Sequence, residues 1–256
     1  MSAQETVEVE QGFAPRVAIL TAVAGLFPII GTLVMGPLSN PPKNFAANLL
    51  YFHWHSSSQL AGSFIKGVGL LCIVVPTIFL IRATLARGGS VPRVTPALAI
   101  IGAVILCVTT IFVAALEVSV SSDFFSKTGL TYSQAQSLFK GQAMVAASGA
   151  QFLGSVAVAF GLAMASLNAM RVGLLTRFLG YIGILAGVMI AIPVFSPLPV
   201  IQGFWFLAIA AIIGNKWPQG RPPAWDDGEA HPWPSASEAR TRAAEQREAS
   251  KNGKPA

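Results

Sequence analysis

The stretch LAGSFIKGVGLLCIVVPTIFLIR, residues 60–82, decides the fold: it is apolar enough to cross a membrane as a helix, yet it carries Lys66. About 20 predominantly apolar residues cover the hydrocarbon core of a bilayer. The quoted run supplies such a span at 60–81, and others recur at 17–37, 96–117, 143–167, 178–195 and 199–214. Inside lipid only helices and closed barrels satisfy the backbone, and runs this continuous argue for helices. The expected fold is all-α, a polytopic bundle of six transmembrane helices. It divides the chain into an N-terminal segment 1–16, a membrane domain 17–214 and a tail 215–256.

The composition agrees. Of 256 residues, 53% are hydrophobic and 11% charged, whereas soluble domains carry about 25% charged residues. The net charge is +6. Most of the positive residues flank the apolar runs, and no basic cluster is interleaved with aromatics, so nucleic acid is not an expected partner. With six spans, Arg16, Arg82, Arg87, Arg93, Arg171, Arg177, Lys216 and Arg221 fall on one side, against Lys43, Lys127 and Lys140 on the other. By the positive-inside rule both termini are expected in the cytoplasm. Residues 1–12 are acidic rather than basic, and no A-x-A-like site follows the first run, so that run is expected to remain as the first span.

Two outer loops are expected. The first, 38–59, holds Tyr51, Phe52 and Trp54, which suit a headgroup-level belt. The second, 118–142, holds Thr131 and Gln134 at capping-box spacing, which predicts a short helix leading into the fourth span. FSPLP, 195–199, reads as a tight outer hairpin. The tail repeats Trp217, Trp225 and Trp233 every eight residues. Ser235 and Glu238 again have capping-box spacing, before a segment polar on every face. Such a tail is expected to be a largely disordered extension anchored by its first tryptophan.

Lys66 lies 16 residues from Arg82, about 24 Å along a helix, so it belongs to the outer leaflet. It can snorkel outward. However, Gly62, Ser63 and Gly69 share its face, and small residues let a second helix approach closely, so that face is expected to look into the bundle. Glu117, near the outer end of the next span, is the expected partner, above a stripe of Ala114, Thr110 and Cys107. Gln151 in the fourth span lies at a similar depth, on a face with Ser148, Gly154 and Ser155. Lys66, Glu117, Gln151, Ser148 and Thr110 therefore form a candidate ligand or ion pathway, weighed against separate packing and snorkelling.

Other chemistry is sparse. His53 and His55 would point to one side of an extended segment. With Asp123 they reach the three ligands a metal site needs. No span holds a histidine, so haem with axial histidines inside the bundle is not expected, and neither is any other cofactor. No nucleotide loop, metalloprotease helix or nucleophile elbow is present. Cys72 and Cys107 lie in different spans and read as packing residues. Pro28, Pro76 and Pro193 should kink their helices. Gly183 and Gly187 form a G-x-x-x-G pair expected to pack within the bundle. No internal repeat is visible.

The tail segment NKWPQGRPPAWDDGEAHPWPS, 215–235, with the six spans and two outer loops, resembles an uncharacterised group of actinobacterial integral membrane proteins. The resemblance implies a plasma-membrane location and six helices, and no activity. The expected function is non-enzymatic: binding a lipid or small apolar molecule between helices, or acting as an accessory subunit to a membrane partner or a second copy. The alternatives are a small secondary transporter using the Lys66 cluster, and a membrane enzyme with an outer metal site at His53, His55 and Asp123.

Overall fold

The computed structural model of the chain describes residues 3–36, 44–126, 131–192, 198–218 and 220–233. Among them regular structure is entirely helical: α1 (Ala3–Met35), α2 (Phe45–Trp54), α3 (Ser56–Cys72), α4 (Val74–Ala86), α5 (Thr95–Ser126), α6 (Tyr132–Phe139), α7 (Gln142–Arg171), α8 (Arg177–Ala191), α9 (Val200–Ile213) and α10 (Ala224–Asp227). Four helices are long and apolar enough to cross a membrane: α1, the joined α3–α4, α5 and α7. The apolar helices α8 and α9 are shorter, at 15 and 14 residues.

These helices form a closed ring. α1 packs on α3, α3 on α5, α5 on α7, α7 on α8, α8 on α9, and α9 returns to α1. Small residues set the close approaches. A Cβ on Gly31 would lie 2.5 Å from the Gly62 carbonyl oxygen, and one on Gly69 would lie 2.5 Å from Pro28 Cδ. The face of α3 that carries Lys66 therefore does meet a second helix, α1. Gly183 and Gly187 also pack inside the bundle, against Ser166 and Trp205 and against the Ala159 carbonyl.

Pro76 shapes the rest. Proline has no N–H to offer the carbonyl four residues earlier, which breaks the ladder. The helical ladder is interrupted at Ile73, between α3 and α4, although Ile73 keeps helical dihedrals (φ −56°, ψ −29°), and Thr77 Oγ1 donates to the Ile73 carbonyl at 2.7 Å. Beyond this point α4 stays between α1 and α5 but sits deeper than α3, reaching α7 as well. Leu80 and Ile81 are fully buried there, in one core with Leu162, Leu179, Trp205 and Ile209. At Pro28 the helix continues, and Thr32 Oγ1 donates to the Pro28 carbonyl at 2.7 Å. Pro193 lies outside the described residues.

The long helices overrun the ring at opposite ends. α1 has 33 residues, about 50 Å, so residues 3–16 are its first turns rather than a separate segment. α5 has 32 residues and continues well past Glu117, so the expected loop at 118–142 begins as helix. Leu49 of α2 and Ala135 of α6 pack on the projecting Phe124. The Thr131–Gln134 capping box forms as expected.

At the arginine-rich end the tail is folded onto the bundle as far as Trp233, which corrects the expectation of a mobile extension for that part. Trp225 Nε1 donates to the Leu174 carbonyl at 2.8 Å and Trp233 Nε1 to Leu175 at 2.9 Å, while the His231 N–H donates to Val172 at 3.0 Å. These carbonyls follow the end of α7 and have no partner within that helix. Gly228 takes a left-handed φ of 74°, which ends α10 and brings the chain against the Ala3 carbonyl. Trp225 also stacks on Phe79. Ser235, Glu238 and the rest of 234–256 lie outside the described residues, as do Lys43, Lys127 and most of FSPLP.

Candidate functional site

With α4 filling the middle of one half of the ring, the other half is left open inside. A cavity of about 390 Å³ occupies it, lined by residues of α1, α3, α5, α7, α8 and α9. Its polar lining is Lys66, Thr110, Ser148, Gln151, Ser155 and Gln202. Four of the five residues expected in the polar cluster, Lys66, Thr110, Ser148 and Gln151, thus share one cavity. Its floor is apolar, with Leu70, Ile73, Leu106 and Phe206, and its lining reaches Ala191, Leu198 and Pro199 at the end remote from the arginines.

Gln151 Nε2 donates to Thr110 Oγ1 at 3.1 Å, which joins α7 to α5 across the cavity wall. Ser155 instead donates back to the Phe152 carbonyl at 2.7 Å. Gln202 Oε1 is buried with no hydrogen-bond partner among the described residues. Burying a polar atom without a partner costs free energy, so this oxygen marks a place where a donor fits. The sequence reading missed Gln202. Its signal was a lone amide in the otherwise apolar run 199–214.

Glu117 is not part of the lining. Gly67 packs against Cys107 and Ile111, which sets the level of Lys66 on α5. Glu117 is six residues past Ile111, about 9 Å nearer the end of the helix. The two charges act on each other electrostatically, but Lys66 makes no ion pair or hydrogen bond among the described residues. The expected pair is a long-range one.

The proposed metal ligands do not converge. His53 lies in the last turn of α2 and His55 caps it, so the two rings diverge as helical neighbours rather than align as in a strand. His53 stacks on Phe125 at 4.1 Å between ring centres, and His55 stacks on Tyr51 at 4.3 Å. Among the described residues no three His, Cys, Asp or Glu side chains are placed to hold a metal ion. Cys72 and Cys107 are free thiols.

At the other end the bundle is closed by a network that the sequence reading did not anticipate. Arg87, whose side chain is fully buried, donates to both oxygens of Glu10 at 2.7 and 2.9 Å, to the Ala224 carbonyl at 2.8 Å and to the Ala83 carbonyl at 2.9 Å. Its guanidinium lies 5.4 Å from the centre of the Trp225 ring. One arginine thereby ties α4, α1 and the tail together. No protein-family model, curated protein or solved structure matches the chain.

Proposed function

We propose that this chain is a six-span plasma-membrane protein with cytoplasmic termini that binds a small amphiphilic molecule between its helices, without catalysis. The ligand carries an anionic or hydrogen-bonding head and an apolar body. α8 and α9 complete the ring that the four longer helices begin, which supports counting them as spans. All the arginines between the spans then face the cytoplasm.

The observation that carries the ligand reading is the cavity around Lys66. Its volume falls within the range of roughly 300–1,000 Å³ that small-molecule sites occupy. It combines an apolar floor with a few convergent polar groups, one of which, Gln202 Oε1, has no partner. An unpaired ammonium inside a bundle is costly, and an anionic head would supply the charge that Glu117 offers only at a distance.

The test is native mass spectrometry of the protein extracted in mild detergent. A small molecule should remain bound to the natural chain and be lost from Lys66→Met, with both proteins inserted and folded. An empty natural protein would overturn the reading.

A transporter is the second reading, favoured by the seal of Arg87, Glu10 and Trp225 opposite the cavity, which resembles one closed gate. It requires uptake into proteoliposomes that fails in Lys66→Met and Glu117→Gln. Binding without uptake would leave the first reading alone.

A further inference from the structure

The deeper seat of α4 has a second consequence on the outside of the bundle. Where α4 sits deeper than α3, it leaves a groove between α1 and α5 of about 540 Å³. Thr6, Val9, Glu10, Phe13 and Val17 of α1 form one wall, α4 from Val74 to Ala86 forms the floor, and Ile100 of α5 closes the far side. This groove is separate from the Lys66 cavity and shares no lining residue with it.

Its chemistry is graded along its length. The deep part is apolar, with Phe13, Val17, Val74, Val75, Ile78 and Ile100. Arg82 stands towards the other end; it is exposed and makes no hydrogen bond or ion pair among the described residues. Glu10 also lines that end, but Arg87 neutralises its carboxylate through two hydrogen bonds. The groove mouth therefore presents one uncompensated positive charge. From Arg82 to Val74 is eight residues, about 12 Å of helix, close to one leaflet of a hydrocarbon core roughly 30 Å thick. Phe13 and Val9 remain half exposed beside it, at 56% and 50%.

We propose that this groove seats one acyl chain of an anionic phospholipid from the leaflet at the arginine-rich end, with the phosphate held by Arg82. A one-leaflet apolar slot ending at a free guanidinium matches such a lipid in length, polarity and charge. Guanidinium is well suited to phosphate because its planar fork donates two parallel hydrogen bonds.

The test uses the full chain in nanodiscs containing equal amounts of phosphatidylglycerol and phosphatidylcholine, with lipids retained after detergent release counted by native mass spectrometry. Phosphatidylglycerol should be retained preferentially. Arg82→Gln should reduce that preference about fivefold, the scale of one basic residue at a charged membrane surface. Ile78→Trp should fill the slot and lower retention of both lipids. Lys66→Met should leave the preference intact, which separates this site from the central cavity. Equal retention of the two lipids, or an unchanged preference in Arg82→Gln, would overturn the proposal, as would loss of phosphatidylglycerol in Lys66→Met. Should Ile78→Trp fail to fold, the Arg82→Gln comparison decides alone.

Discussion

Arg87 and Glu10, 77 residues apart in the chain, meet through a two-pronged ion pair whose arginine side chain is completely out of solvent. A buried pair is fragile to the loss of one partner, because the other charge is then left without compensation. Glu10→Gln is expected to cost about 3–5 kcal/mol of stability. Denaturant unfolding in detergent measures it. A loss below about 1 kcal/mol, the range of exposed pairs, would contradict the packing described.

Trp225 joins three parts of the seal: it stacks on Phe79, lies beside the Arg87 guanidinium and donates to the Leu174 carbonyl. Trp225→Ala should release the tail and cost on the order of 3–5 kcal/mol, as for other buried tryptophans. Limited proteolysis between Arg221 and Trp233 should then be faster than in the natural protein. Equal resistance in both proteins would contradict tail docking.

The turn after α10 should be sensitive to acid. The Glu229 N–H donates to Asp227 Oδ1 at 2.9 Å and holds that carboxyl below its usual range, with a further contribution from His231, 2.5 Å from the other oxygen. A depressed folded value stabilises above the unfolded carboxylate value of about 3.9, and the contribution disappears as pH falls through the folded value. Tail docking, followed by tryptophan fluorescence, should therefore hold above about pH 4 and weaken below it. Asp227→Asn should remove this acid-dependent component.

Gly31 sits where α1 and α3 touch backbone to backbone. The Cβ of Gly31→Ala would lie 2.5 Å from the Gly62 carbonyl oxygen and 2.7 Å from the Lys66 backbone nitrogen. Neither is a flexible side chain, so the helices must separate, at a cost of about 1–3 kcal/mol. Gly88→Ala serves as the comparison at a loop glycine with open space around it but a φ of 74°; its cost is local strain, without separation of helices. Cross-linking between cysteines introduced on α1 and α3 should fall in Gly31→Ala and stay unchanged in Gly88→Ala.

The helices were legible because a run able to cross a membrane is long, apolar and nearly free of charge. The shared face of Lys66, Gly62 and Gly69 was legible too, because small residues at helical spacing carry their own packing meaning. The position of Glu117 was not: depth along a helix follows from counting, but the register between two helices is set by where their glycines and branched side chains interlock. His53 and His55 misled because an H-x-H pair aligns only in a strand, and the aromatic run around it folds as helix. Pro76 announced a break without revealing its direction. That α4 sits deeper than α3, creating one cavity inside the ring and one groove outside, depends on contacts with α7 that no local pattern encodes. The tail seal was hidden for the same reason. Its tryptophans were visible, but their partners are backbone carbonyls after α7, which have no sequence signature.

The proposed orientation puts the sealed, arginine-rich end of the bundle in the cytoplasm and the Lys66 cavity towards the opposite side. Cysteine labelling in intact cells tests it most directly, with Cys72→Ala and Cys107→Ala removing the native thiols and one new cysteine placed at Ser90→Cys, in the exposed connection after α4. A membrane-impermeant maleimide should label Ser90→Cys only after the cells are permeabilised, while Ser57→Cys, exposed at the start of α3, should label without permeabilisation. Labelling of Ser90→Cys in intact cells would contradict the account.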